Sequence, residues 1–108
     1  MASDKTYLTF ILDQLSGLDG IAYRAMMGEF ILYRHGKIFG GINDDRFLIK
    51  PTPAAAAMMP DAPRETPYEG AKPMLLVDNV EDRAFLARLV EAVCRELPEP
   101  KKKSPAGP

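Results

Sequence analysis

Few residues in this sequence could take part in chemistry, and the single histidine is the first of them. His35 lies between Arg34 and Gly36, with Lys37 next, in a stretch whose glycine predicts a tight turn. A catalytic imidazole needs a partner within hydrogen-bond reach, and flanking cations disfavour its protonated form. We therefore interpret His35 as an exposed turn residue.

The single cysteine and the paired carboxylates also predict structural rather than catalytic roles. Cys94 lies near the C-terminal end of a predicted helix, where the helix dipole opposes thiolate formation, so we expect it to be buried and structural. Asp44 and Asp45 follow Asn43, and adjacent carboxylates in a turn do not converge on one ion. The glycines match neither a dinucleotide-binding pattern nor a P-loop. The sequence therefore predicts no catalytic residue, no metal site, no cofactor and no enzymatic activity.

Length, charge and cysteine content narrow the class of protein further. The 108 residues suffice for one domain, and a formal net charge of −1 gives no overall attraction to nucleic acid or an anionic membrane. A single cysteine fits a reducing compartment. The N-terminal residues lack the pattern of a secretory signal, and no apolar run approaches the roughly 20 residues that span a bilayer. We expect a cytoplasmic protein that does not enter membranes.

Apolar periodicity and capping residues predict helices at three places in the chain. Residues 4–16 carry an apolar stripe at helical spacing. A short helix follows Thr52 and ends before Pro60, and its alanines bury so little area that we expect a loosely attached element. The last helix is expected to be capped by Asp78 and to end at Leu97.

Runs rich in Phe, Ile, Leu and Tyr, separated by turn residues, predict the strands. Gly40 and Gly41 fall inside one of them, which predicts either a kink or a close approach of another backbone or helix. Residues 61–66 are expected to be loop. The predicted strands are residues 21–27, 29–34, 37–43 and 46–50, followed by 73–77. This order predicts an α+β fold of two layers: a curved, mostly antiparallel sheet with a four-strand meander and one or two further strands, packed with N- and C-terminal helices.

The end of the sequence has a different composition. Residues 98–108 are rich in Pro and Lys and contain no apolar residue larger than Ala, so we expect a disordered tail after a domain of residues 1–97. Lys101, Lys102 and Lys103 could contact phosphates with salt-sensitive affinity, although no aromatic residues are interleaved with them.

The predicted meander also carries a family resemblance. Its segments YRAMMGEF (residues 23–30), LY (32–33), GKIFG (36–40) and DDRFLIK (44–50) are followed by YEG (68–70) and KPM (72–74). In this order, over about residues 4–97, the sequence resembles the N-terminal domain of the TfoX/Sxy family, bacterial regulators of natural competence. The resemblance implies a curved antiparallel α+β fold and a role in transcription. Full-length members resemble co-activators that work with the cyclic-AMP receptor protein, and they carry a second, helical domain.

These observations support three hypotheses of function. The first is a small interaction module that binds another protein, with the transcription machinery as the implied partner. Its candidate contacts are Arg24, Glu29, Asp45, Arg46 and Lys50 around the sheet, and Tyr68, Lys72 and Met74 at the opposing edge. The alternatives are a small-molecule site in a cleft beneath the Ala54–Met59 helix, and weak nucleic-acid binding through the basic tail. We also expect that an edge strand of the meander could pair two copies of the chain.

Overall fold

The computed structural model describes residues 5–26, 29–66 and 70–97. Within these residues, six strands form one open antiparallel sheet in the order β1-β2-β3-β4-β6-β5, with helices before and after it, which confirms the α+β fold. The elements in chain order are α1 (Lys5–Gln14), β1 (Ile21–Met26), β2 (Glu29–Arg34), β3 (Lys37–Asn43), β4 (Arg46–Ile49), α2 (Pro53–Met58), β5 (Arg64–Glu65), β6 (Met74–Leu76) and α3 (Arg83–Glu96).

Two tight turns set the register of the meander, and both occur where the sequence predicts them. His35 and Gly36 join β2 to β3 with φ of 50° and 82°. Asp44 and Asp45 join β3 to β4 with φ of 53° and 57°. Positive φ at both central residues is the conformation of a type I′ hairpin turn, whose twist matches that of the flanking strands. Aspartate tolerates this conformation better than most residues do, which explains the paired carboxylates.

The core lies between one face of the sheet and the helices. Leu32, Gly40 and Ile49 are direct neighbours across β2, β3 and β4, and Ile49 pairs in turn with Leu75 of β6. Because side chains alternate along a strand, this row and its neighbours point to one face. The helices pack their apolar stripes onto that face. The fully buried side chains of this core include Leu8 and Ile11 of α1, Ala55 of α2, Phe39, Ile42 and Phe47 of the sheet, and Leu86, Leu89, Val90 and Val93 of α3.

A bulge in β3 explains the two consecutive glycines. Leu32 pairs with Gly40 while Tyr33 pairs with Ile38, so the intervening Phe39 is left without a partner on β2 and its side chain is fully buried. A Cβ at Gly40 would clash with the carbonyl oxygen of Leu48, and a Cβ at Gly41 would lie 2.7 Å from the carbonyl oxygen of Phe30. The glycines therefore permit a close approach of neighbouring backbones.

The boundaries differ from the predictions at two places, besides shifts of one or two residues at the ends of other elements. The last helix begins at Arg83, and the capping side chain is that of Asp82, which accepts a hydrogen bond from the Phe85 N–H at 3.0 Å, so the expected cap at Asp78 is wrong. The stretch of residues 61–66 contains β5 and is not all loop. Gly28, the end of the first predicted strand and the predicted tail at 98–108 lie outside the described residues.

The short helix α2 is held more closely than its composition suggests. Thr52 is the predicted cap, and its hydroxyl accepts a hydrogen bond from the Ala55 N–H at 3.2 Å. The N–H of Ala54 donates to a carboxylate oxygen of Glu96 at 2.8 Å, and Ala55 is fully buried in the core. A small side chain thus lets α2 lie against α3.

The close approach at Gly40 has a measurable consequence. We expect Gly40→Ala to lower the free energy of unfolding by about 1–3 kcal/mol, because the added methyl group meets a backbone oxygen that cannot rotate away. Urea unfolding followed by circular dichroism measures the change. The matched control is Gly17→Ala, since no atom lies within 4 Å of a Cβ there and Gly17 has no positive φ, so stability should stay within about 1 kcal/mol of wild type. Equal stabilities for the two variants would contradict the close approach.

Candidate functional site

The face of the sheet opposite the core forms the larger candidate surface. Ile31, Gly41, Leu48 and Leu76 are direct neighbours across β2, β3, β4 and β6, in a row that alternates with the core row. Leu48 is fully buried but does not belong to the core cluster, to which the described helices contribute their buried residues. The buried residues of the described helices thus lie in the core cluster on the other side, while Leu48, in the middle of this side, is itself shielded from solvent. We call this side of the sheet the open face.

The centre of the open face is apolar. Ile31 and Tyr33 of β2 are half-buried there, and Ile38 of β3 pairs directly with Tyr33 and is 38% exposed. At the end of β1, Met26 is 48% exposed. Contiguous apolar side chains that remain accessible on a small domain are typical of surfaces that bind other proteins.

Charged side chains border this apolar centre, and two of them are held in place by neighbours. Arg46 forms an ion pair with Glu65, which links β4 to the edge strand β5, and its Nε donates to the carbonyl oxygen of Asn43 at 3.2 Å. A carboxylate oxygen of Glu29 accepts a hydrogen bond from the N–H of Asp44 at 3.1 Å, across the end of the sheet. Both side chains therefore stabilise the sheet as well as bordering its open face.

The structure brings only some of the predicted contact residues together. Arg24, Glu29, Arg46 and Met74 lie on the open face by register. Arg24 on β1 and Met74 on β6 are four strand spacings apart, or about 19 Å, so they belong to opposite ends of one surface rather than to one cluster.

The other predicted contacts lie elsewhere. Asp45 is in the β3–β4 turn. The pKa of the Tyr7 phenol on α1 is raised mainly by burial, and the nearby charge of Asp45 raises it further. Lys50 follows β4, and its N–H donates to the carbonyl oxygen of Phe39 at 2.9 Å. Lys72 is exposed just before β6, and Tyr68 lies outside the described residues.

Sequence reasoning missed the apolar centre itself. Ile31, Tyr33 and Ile38 were not among the predicted contacts, nor was Glu65, the partner of Arg46. The sequence of β2 did indicate it, because the consecutive residues Phe30, Ile31, Leu32 and Tyr33 place apolar or aromatic side chains on both faces of the strand. A strand with one solvated face ordinarily alternates apolar and polar residues, so an unbroken apolar run indicates that both faces are to be covered.

A second, polar site lies at the turn between β2 and β3. A cavity of about 400 Å³ is lined by Arg34, His35 and Lys37 from this turn and by Glu91, Cys94 and Arg95 from α3. Lys37 donates from Nζ to the carbonyl oxygen of Cys94 at 3.0 Å. This hydrogen bond places a cation at the C-terminal end of the helix, where the dipole favours it.

The cysteine in this cavity is poorly suited to act as a nucleophile. Cys94 is buried, as predicted. Burial raises the pKa of its thiol, and the nearby charges of Arg34 and Lys37 oppose that effect only in part. Since the thiolate is the reactive form, this arrangement keeps the sulfur protonated near neutral pH.

The histidine contacts a carboxylate that its sequence neighbours did not reveal. Asp19 Oδ1 accepts a hydrogen bond from Arg34 Nη2 at 2.9 Å, and its Oδ2 lies 3.3 Å from His35 Nε2. The hydrogen bond from Arg34 lowers the pKa of Asp19, with further contributions from its own backbone N–H and the charge of His35. Asp19 is 79% exposed, so the group ties the start of β1 to the turn in full contact with water. His35 is an exposed turn residue, as predicted.

The described ranges contain neither a cluster of metal ligands nor a helix that could span a membrane. Within them, no group of three or more His, Cys, Asp or Glu side chains could hold a metal ion. None of the helices in that part of the chain is both long enough and apolar enough to cross a membrane.

Comparison with known proteins gives two matches. Residues 13–96 match the model of the TfoX N-terminal domain family. The chain is 33% identical over 102 residues to an uncharacterized 12.7 kDa protein encoded in the trpE 5′ region of Spirochaeta aurantia, covering 94% of this chain and 89% of that protein. No solved structure matches the chain with significance.

The lowered pKa of Asp19 predicts how stability depends on pH. A carboxylate whose pKa is lower in the folded state stabilises the fold above its unfolded pKa, about 4, and this contribution is lost as pH falls through the folded value. We expect Asp19→Asn to show a shallower loss of melting temperature than wild type as pH falls below about 4. Asp61→Asn, which removes another exposed carboxylate, is the control. Parallel profiles for wild type and Asp19→Asn would contradict the Arg34 contact.

Burial of Cys94 predicts slow reaction with thiol reagents. We expect the native protein to react with 5,5′-dithiobis-(2-nitrobenzoic acid) at least about tenfold more slowly than the protein in urea, because the thiol is buried and burial raises its pKa. Gly17→Cys supplies an internal reference, since nothing lies within 4 Å of that position. The variant should react in two phases, the fast one from residue 17. A single fast phase for both thiols would show that Cys94 is accessible.

Proposed function

The chain belongs to the TfoX N-terminal domain family, and from this premise we propose that it is a small protein-interaction module that assists transcription regulation. The open face is the surface by which it binds its partner. The proposal depends most on one observation: the side of the antiparallel sheet opposite the core cluster carries partly exposed apolar side chains, among them Tyr33 and Ile38.

The composition of the open face agrees with that of a protein interface. Such interfaces have an apolar centre and a polar border, and charged residues are depleted at the centre. Ile31, Tyr33 and Ile38 supply the centre, while Arg24 and the pair of Arg46 with Glu65 supply charge on either side of it. Charges at the border steer association and select the partner more than they add affinity.

The size of the open face predicts a transient complex. Six strands at about 4.8 Å spacing, with lengths from about 20 Å at β1 to about 7 Å at β5, give a face of roughly 450 Å² in projection. Stable complexes commonly bury about 800 Å² per partner, so a face of this size favours an affinity that permits exchange. Transient binding suits a regulatory accessory that must leave its partner.

The two alternatives stay predictions. A small-molecule site beneath the Ala54–Met59 helix has little support, because Ala55 fills the space under α2 and is fully buried. The cavity described at the β2–β3 turn lies at another place in the fold. Nucleic-acid binding through Lys101–Lys103 depends on residues outside the described ranges.

The proposal is tested with a pair of matched surface variants. Ile38 and Phe10 are exposed to nearly the same extent, 38% and 37%, but Ile38 is on the open face and Phe10 is on α1. The tagged wild-type protein captures partners from nuclease-treated bacterial lysate, and a transcription factor or polymerase subunit found there is purified and titrated. We expect Ile38→Lys to weaken that binding at least about tenfold and Phe10→Lys to leave it unchanged.

Arg24→Ala adds a test of the charged border. It should lower the association rate and its dependence on salt more than it changes the dissociation rate. Circular dichroism and melting temperature confirm that each variant is folded. Equal binding by Ile38→Lys and wild type, or equal loss in both lysine variants, would show that the open face is not the binding surface.

A further inference from the structure

We propose that the free edge of β1 pairs with β1 of a second copy of this chain, antiparallel and about a twofold axis at Tyr23. In the described sheet β1 pairs with β2 alone, and all of its residues except Ile21 are exposed. It has six residues with one charge, Arg24, and no proline. Sheet edges are ordinarily protected by shortness, charged side chains, proline or a bulge, and of these β1 has only the single charge of Arg24.

The hydrogen-bond pattern shows which backbone groups the edge presents. Ile21 lies opposite Arg34, so in the same register Gly20 lies opposite His35. The His35 N–H donates to the Gly20 carbonyl oxygen at 2.9 Å, so Gly20 and His35 are a hydrogen-bonded pair. Antiparallel pairs alternate between those that exchange hydrogen bonds and those that do not. The N–H and C=O groups of Ile21, Tyr23 and Ala25 therefore point away from β2, toward solvent.

Two antiparallel registers with a twofold axis, one centred on Tyr23 and one on Arg24, pair the most residues of β1. Charge repulsion distinguishes between them. An axis at Arg24 would place its guanidinium directly opposite Arg24 of the second copy, at a site without hydrogen bonds where Cα atoms are about 4.5 Å apart. Like charges directly opposite each other destabilise a sheet. An axis at Tyr23 instead lets the two Tyr23 residues exchange hydrogen bonds and places Arg24 opposite Ala22 of the second copy. The second register is the favourable one.

A groove beside β1 extends the contact beyond the strand. It has a volume of about 550 Å³ and is lined by Leu12, Leu15 and Leu18 together with Ile21 and Tyr23 of β1. Ile21, Tyr23 and Ala25 lie on the side of the sheet that faces the helices, since Tyr23 pairs with the buried Leu32. In the register centred on Tyr23, Ala25 of the second copy lies beside Ile21, at the groove.

The area of this contact predicts a weak dimer. An edge about 20 Å long, in a layer of sheet and helix about 20 Å thick, gives roughly 400 Å² per copy. The total of about 800 Å² is below that of a standard interface, and the apolar groove brings it toward the roughly 1,000 Å² that a specific interface needs. A second copy fits this edge because the same mostly apolar strand completes both sides of the contact.

Sedimentation velocity of the full chain from about 5 to 500 μM tests the association, since a dimer of this area dissociates in the micromolar range or above. We expect a reversible monomer–dimer equilibrium. Tyr23→Lys should raise the dissociation constant at least about tenfold by placing two ammonium groups at the axis, whereas Ile38→Lys should leave it unchanged. Ile38→Lys thus separates this proposal from the open face, because it should weaken partner binding without affecting the dimer. A wild-type protein that stays monomeric over the whole range overturns the proposal.

Disulfide trapping tests the register. In the register centred on Tyr23, the Cα atoms of the two residues 23 lie about 5.5 Å apart, within the range a disulfide spans, and the two residues 24 lie diagonally at about 7–8 Å. Under mild oxidation, Tyr23→Cys should form a covalent dimer and Arg24→Cys should form little. The wild-type protein, whose Cys94 is buried, is the control. Faster cross-linking of Arg24→Cys than of Tyr23→Cys would overturn the register.

Discussion

The approach of neighbouring backbones at Gly40 and Gly41 is the constraint on which the rest of the sheet depends. β3 lies between β2 and β4, and at these positions its backbone comes so close to its neighbours that a side chain would meet a carbonyl oxygen on either strand. The extra residue of the bulge, Phe39, is directed into the core. The same residue accepts the hydrogen bond from Lys50 that continues β4 beyond its last paired residue. The bulge thus both bends the sheet and places a large side chain in the core.

The bulge also distinguishes the two faces of the sheet by the side chains that they carry. On the core side, Gly40 leaves room for large side chains such as Phe39 and Ile42. On the other side, Gly41 contributes no side chain to a row that otherwise consists of Ile31, Leu48 and Leu76. The middle of the open face is therefore apolar but shallow. A partner would contact the side chains that surround Gly41, and not a side chain at Gly41 itself.

The sequence predicted the local features of this fold well and the non-local ones poorly. Both type I′ turns, the bounds of β2 and β3, and the Thr52 cap follow from residue types within a few positions of each other. β5 has two residues and exists only because it pairs with β6, so no periodicity could indicate it. Asp78 and Asp82 are equally good caps by type, and the choice depends on where the chain leaves the sheet after Val77 bonds to Phe47. The candidate site shows the same difference. Individual charged residues can be picked out from the sequence, but which of them share a surface depends on the pairing register of the strands, and that register includes the bulge.

The two edges of the sheet differ, and the difference limits how the sheet can grow. β5, at the edge away from β1, has only two residues, Arg64 and Glu65, and both are charged. A sheet with two adhesive edges can add copies indefinitely and form a filament, whereas a sheet with one can form only a closed pair. The unequal edges therefore limit growth of the sheet through the proposed β1 contact to two copies.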